Sequence, residues 1–123
     1  MLSKSDVMAF IATRDSERSC AFYRDVLGLR FVADEPYALV FDASGTMLRV
    51  QKVQELVPAT HTALGFRVAD VRAVIRNLKS RGVSMERFGF MDQDDFGVWT
   101  AAGGAQIAWF KDPDGNLLSL TQF

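Results

Sequence analysis

Hydrophobic and polar positions fall into two stretches that share one grammar: an extended apolar run, an Asp, an amphipathic stretch and a Gly. The first is DVMAFIATRDSERSCAFYRDVLGLRFV, from Asp6 to Val32, and the second is HTALGFRVADVRAVIRNLKSRGVSMERF, from His61 to Phe88. In the second, Val71, Val74, Ile75 and Leu78 stand at i, i+3, i+4 and i+7. This is the stripe of a helix packed on a sheet, with Arg72, Arg76, Asn77 and Lys79 on the wet side. Cys20, Phe22, Tyr23, Val26 and Leu27 do the same in the first. A carboxylate ahead of a helix accepts from its free N–H groups, so Asp15 and Asp70 are N-cap candidates. Glycine reaches the positive φ at which helices end, so Gly28 and Gly82 are their stops.

Short extended runs follow each helix, cut by turn residues. In the first half they are Leu29 to Ala33, Tyr37 to Asp42 and Thr46 to Val53. In the second they are Val83 to Phe90, Gly97 to Ala101, Gln106 to Lys111 and Leu117 to Phe123. Asp112-Pro113-Asp114-Gly115 places Asp, Pro and Gly at the positions of a type I turn that suit each of them. The stretch from Val53 to Thr60, with Pro58 inside it, reads as a connector. The pattern predicts an α+β fold of two βαβββ modules, about residues 1–55 and 60–123, within one domain spanning 1–123.

Composition narrows the function classes. The chain has 123 residues, 49% hydrophobic and 24% charged, with a net charge of -1. That suits one core, and it offers no basic field for a phosphate backbone, so nucleic acid is not an expected partner. The opening apolar run is too short for a secretory core or a membrane span, which gives an expected cytoplasmic location without membrane attachment. Cys20 cannot close an internal disulfide. With apolar neighbours and no His or Lys nearby in sequence, it reads as a buried reduced thiol.

The phrases AFYRDVLGLRFV (Ala21 to Val32) and AWFKDPDGNLLSL (Ala108 to Leu120), with the repeat between them, resemble the vicinal-oxygen-chelate superfamily, that is, the glyoxalase/bleomycin resistance protein/dioxygenase family. The resemblance covers nearly the whole chain. It implies βαβββ modules paired into curved mixed sheets around a pocket, usually in a homodimer. Members include glyoxalases, extradiol dioxygenases, fosfomycin-modifying thiol transferases, epimerases and metal-free antibiotic-sequestering proteins, so the fold alone does not set the function.

In the enzymatic branches the resemblance implies a divalent metal held by His, Glu or Gln. Carried onto this chain, the usual ligand positions are Met8, Ala63 and Ser119, with Arg49 or Gln51 on the remaining strand. A thioether, a methyl and a hydroxyl supply neither the charge nor the donor strength that such an ion needs. Neither metal nor another cofactor is expected. Alternation groups Phe10 and Ala12 with Met8, groups His61, Gly65 and Arg67 with Ala63, and groups Leu117 and Thr121 with Ser119.

Trp99 and Trp109 belong to an aromatic load with Phe88, Phe90, Phe96 and Phe110 around the acidic loop from Met91 to Asp95. The candidate ligand-binding residues are therefore Met8, Phe10, Arg49, Gln51, His61, Ala63, Arg67, Trp99, Trp109 and Ser119. No catalytic residue is assigned. The expected function is metal-independent binding of a small molecule, in the manner of the resistance proteins that sequester an aromatic or cationic compound. The alternatives are a lyase, isomerase or dioxygenase-like enzyme with an atypical site using His61, Gln51 or Arg49, and a module whose pocket has closed.

Overall fold

Asp15 and Asp70 start their helices in the same way. Each sits in extended backbone, at φ -139° and -138°. Asp15 accepts from the Arg18 N–H at 3.2 Å, and Asp70 accepts from the Ala73 N–H at 3.1 Å. Each satisfies one of the N–H groups that a helix start leaves without a partner. Gly28 and Gly82 then end the helical segments at φ 75° and 87°.

The computed structural model describes all residues from Met1 to Phe123. The first half contains β1 (Met8–Thr13), α1 (Ser16–Ala21) continued by a π-helical turn (Phe22–Val26), β2 (Arg30–Asp34), β3 (Ala38–Ala43) and β4 (Thr46–Lys52). The second contains β5 (Leu64–Arg67), α2 (Val71–Ser80), β6 (Trp99–Thr100), β7 (Gln106–Lys111) and β8 (Leu117–Gln122). The chain divides into two compact units, Met1–Val57 and Pro58–Phe123. Each unit is a βαβββ module with a mixed four-stranded sheet, in the orders β1-β4-β3-β2 and β5-β8-β7-β6. In both, the last strand returns parallel to the first, and the other pairs are antiparallel. A parallel pair needs a crossover, which the helix supplies.

In the first unit Ile11, Leu39, Phe41, Leu48 and Val50 are buried together with Phe22 and Tyr23 from the helical segment. The Tyr23 ring lies 5.3 Å from Phe22 and 5.9 Å from Phe41, and Phe31 lies 5.6 Å from Phe41. Burying each such side chain contributes about 1.5–3 kcal/mol. The residue facing the sheet from α1 is Ser19, fully buried, whereas Cys20 is half-exposed. The expected buried thiol is thus corrected: Ser19, Phe22 and Tyr23, at i, i+3 and i+4, form the inward face and leave Cys20 on its flank. The π-helical turn closes through Leu27 N–H to Phe22 O and Leu29 N–H to Tyr23 O, at 2.9 and 3.0 Å.

In the second unit Val71, Ile75 and Leu78 of α2 are buried, as are Val98, Ala108, Phe110, Leu118 and Leu120. Arg72, expected on the wet side, instead donates to Asp94 and to Gln106 Oε1. The strand expected from Val83 to Phe90 does not form. Its ladder-like bond is Glu86 N–H to Trp109 O at 2.7 Å. The Gln93 side chain satisfies its neighbours by accepting from Phe88 N–H and donating to Glu86 O and Gly97 O. The strand expected over Gly97 to Ala101 is reduced to the two residues of β6. The Asp112 turn forms as expected, with Gly115 N–H bonded to Asp112 O at 3.0 Å. Asp112 Oδ1 also accepts from Asp114 and Asn116 N–H. No helix is long and apolar enough to cross a membrane.

Candidate functional site

The pleat sends alternate side chains of each sheet toward its helix and away from it. In β1, Ile11 and Thr13 are buried, while Met8 and Phe10 remain exposed. Pairing with β4 sets Met8 beside Met47, Phe10 beside Arg49 and Ala12 beside Gln51. The structure therefore brings Met8, Phe10, Arg49 and Gln51 onto one open sheet face of the first unit, as alternation predicts. Arg49 is not free there. Its Nη2 donates to Glu35 Oε1 at 2.9 Å.

The second unit builds a different surface from the same pleat. Gly65 pairs with Ser119, and Arg67 with Thr121. Ser119 in turn pairs with Trp109, Thr121 with Ile107, and Ile107 with Trp99. Arg67, Trp99, Trp109 and Ser119 consequently share this face. The Trp99 and Trp109 rings lie 6.4 Å apart and are tilted by 37°, and Phe88 meets Trp109 edge-on at 5.6 Å. The Arg67 guanidinium lies 5.1 Å above the Phe123 ring. A Cβ on Gly65 would come 3.0 Å from Ser119 Oγ, so the two strands approach here as closely as a glycine allows, with Ser119 itself buried.

His61 and Ala63 precede β5, although Ala63 N–H still bonds to Leu117 O at 2.8 Å. His61 sits in a bend, exposed, where strand alternation no longer fixes its direction. The residue that sequence reasoning missed is Thr62, whose Oγ1 accepts from Trp109 Nε1 at 3.0 Å. Only the fold places a hydroxyl at residue 62 beside an indole at residue 109. No spacing in the sequence signals it.

The acidic loop is held by its own fold. Asp94 Oδ1 accepts from the Phe96 and Val98 N–H groups at 2.9 and 3.0 Å, and its other oxygen meets Arg72. Burial works to raise the Asp94 pKa, but the bonds from Val98, Arg72 and Phe96 outweigh it and hold the carboxyl below the usual range. Arg87 clamps the Asp94 and Asp95 carbonyls at 2.6 and 2.8 Å. Asp94 is therefore occupied within the loop rather than offered to a cationic ligand.

The donor set does not fit a divalent metal. The implied positions hold Met8 with Arg49 or Gln51 in the first unit, and Ala63 with Ser119 in the second. No group of three or more His, Cys, Asp or Glu stands together anywhere in the chain. With Arg49 cationic and paired to Glu35, Gln51 is left as one neutral amide, short of the charged or imidazole donors that such ions require.

Comparison with known proteins gives a consistent picture. The model of the Glyoxalase/Bleomycin resistance protein/Dioxygenase superfamily matches residues 6–120. Among solved structures, a superfamily member from Sphaerobacter thermophilus aligns with a TM-score of 0.77 and 22% identity over 100% of both chains. Lactoylglutathione lyase from Agrobacterium tumefaciens aligns with a TM-score of 0.75 and 22% identity, covering 96% of this chain and 93% of its own. A fosfomycin resistance protein from Listeria monocytogenes aligns with a TM-score of 0.75 and 16% identity, covering 95% and 91%. At these identities the likeness is one of fold. No curated protein matches the chain.

Proposed function

The chain belongs to the glyoxalase/bleomycin resistance protein/dioxygenase superfamily, and from that premise we propose that it is a metal-independent binding protein that sequesters a small aromatic compound. The observation that carries this reading is the aromatic face of the second sheet, where Trp99 and Trp109 stand 6.4 Å apart, Trp109 in line with Gly65, which carries no side chain. Flat rings offer large contact area at small conformational cost. Thr62 fixes the Trp109 indole, so a ligand would meet a ring already set in place. Arg67 gives the face positive charge, which favours a neutral or anionic aromatic compound over a cationic one. Met8, Phe10, Arg49 and Gln51 on the first sheet face are proposed as a binding surface of their own unit, His61 and Ala63 ahead of β5 as candidates in the second, and a homodimer is the proposed assembly.

The test is a tryptophan-fluorescence and calorimetric titration with planar aromatic compounds of each charge, on protein whose metal content has been measured. Saturable quenching that is lost in Trp99→Ala, with the fold intact, supports the reading. Absence of any aromatic binder would overturn it, as would stoichiometric Ni, Zn, Mn or Fe retained after purification. Sedimentation equilibrium on the same sample reports the assembly.

A further inference from the structure

Away from the sheet face, the second unit has a cleft of about 370 Å³ between α2 and the segment from Val83 to Phe96. We infer that this cleft is a second binding site, for a small amphipathic anion with a carboxylate or phosphate-monoester head on a short aromatic or aliphatic tail.

The chemistry of the walls selects that class. Ile75, Met85 and Phe96 give the cleft an apolar side, while Arg76, Lys79 and Arg87 line it with three cations against the one carboxylate of Asp95. Arg87 spends two nitrogens on the Asp94 and Asp95 carbonyls, which fixes its charge in place without neutralising it. Arg76 and Lys79 stand at i and i+3 on α2, and both are exposed. Arg76 lies 5.8 Å above the Phe96 ring. Neither residue takes part in any of the ion pairs within the protein, so their donors remain for an outside acceptor. A carboxylate or phosphate is the partner that two adjacent unpaired cations favour, and the apolar side takes the tail.

The cleft wall is also shaped. Gly97 is buried at φ 85°, and a Cβ there would come 2.9 Å from Met85 Cβ. The absence of that atom lets the Phe96 end of the segment close onto Met85, which sets the width of the apolar side.

The experiment is an amide-shift titration of the full chain with 4-phenylbutyrate, phenyl phosphate and, as the uncharged control, 4-phenylbutyramide. Saturable shifts at Arg76, Lys79, Ser84, Met85 and Phe96 are expected with one or both anions. Whichever anion binds more tightly identifies the head group. Binding should weaken at least about tenfold in the Arg76→Gln, Lys79→Gln double variant and for the uncharged control. Lys79→Gln alone, at an exposed helix position, guards against a folding defect in the double variant and should weaken binding in the same direction. Trp99→Phe should leave these shifts unchanged, which separates failure here from failure of the sheet-face reading. Shifts confined to the two indoles, an unchanged Kd in the double variant, equal binding of the uncharged control, or no saturable shift with any probe would each overturn the inference.

Discussion

Gly65 and Ser119 stand side by side on the parallel strands β5 and β8, and a Cβ at residue 65 would reach within 3.0 Å of the Ser119 hydroxyl. Gly65 is thus where the open face can be filled from within. Gly65→Leu is expected to project a branched side chain beside Trp109 and to lower affinity for an aromatic ligand by about tenfold or more. Because the new Cβ crowds the buried Ser119 hydroxyl, stability should also fall, by about 1–3 kcal/mol. Calorimetry and thermal unfolding on one sample check both.

Thr62→Val removes the acceptor from Trp109 Nε1 while keeping the shape of the side chain. A cost of about 0.5–1.5 kcal/mol is expected, together with a looser indole. The indole N–H resonance of Trp109 should move toward its solvent-exposed position, and hydrogen exchange at that proton should speed up.

Asp94→Ala leaves the Phe96 and Val98 N–H groups without their acceptor, and Val98 is 2% exposed. A loss of about 1–3 kcal/mol is expected in urea unfolding. The pH dependence has a definite sign. The folded-state pKa of Asp94 is depressed, so its stabilising contribution is present above the ordinary carboxylate range and fades as pH falls through the folded value. Compared with Asp94→Asn, the advantage of the parent protein should therefore shrink on acidification. An advantage that grows in acid would contradict the assignment.

Tyr23 is fully buried against Phe22 and Phe41. Tyr23→Ala is expected to cost about 3–5 kcal/mol by lost transfer energy and a residual cavity, whereas Tyr23→Phe should be far milder. Thermal unfolding of the pair gives the comparison.

Legibility in the sequence followed the range of the interactions. Asp15, Asp70, Gly28, Gly82 and the Asp112 turn act on backbone within a few residues, so residue type alone announced them. Alternation likewise grouped Phe10 with Met8, Arg67 with Gly65 and Thr121 with Ser119, because the pleat has a fixed period, whereas the pairing of Trp109 with Ser119 came only from the fold. Val83 to Phe90 carries strand-like residues, yet its backbone groups are met by the Gln93 side chain and one bond to Trp109, partners that periodicity does not encode. The same holds for Thr62 on Trp109 and for Arg72 on Asp94. His61 lies in a bend ahead of β5, where alternation does not reach.

Gln93 does with one side chain what a paired strand does in the first unit. A single terminal amide there donates to the Glu86 and Gly97 carbonyls, and its oxygen receives Phe88 N–H. The shelf life of this region is consequently tied to the chemistry of one amide. Hydrolysis of Gln93 to Glu, with release of ammonia, would set a carboxylate oxygen against two carbonyl oxygens, so ageing by deamidation would loosen the segment from Glu86 to Gly97 and, through the Gln93 bridge to Trp99, the β6 edge of the second sheet.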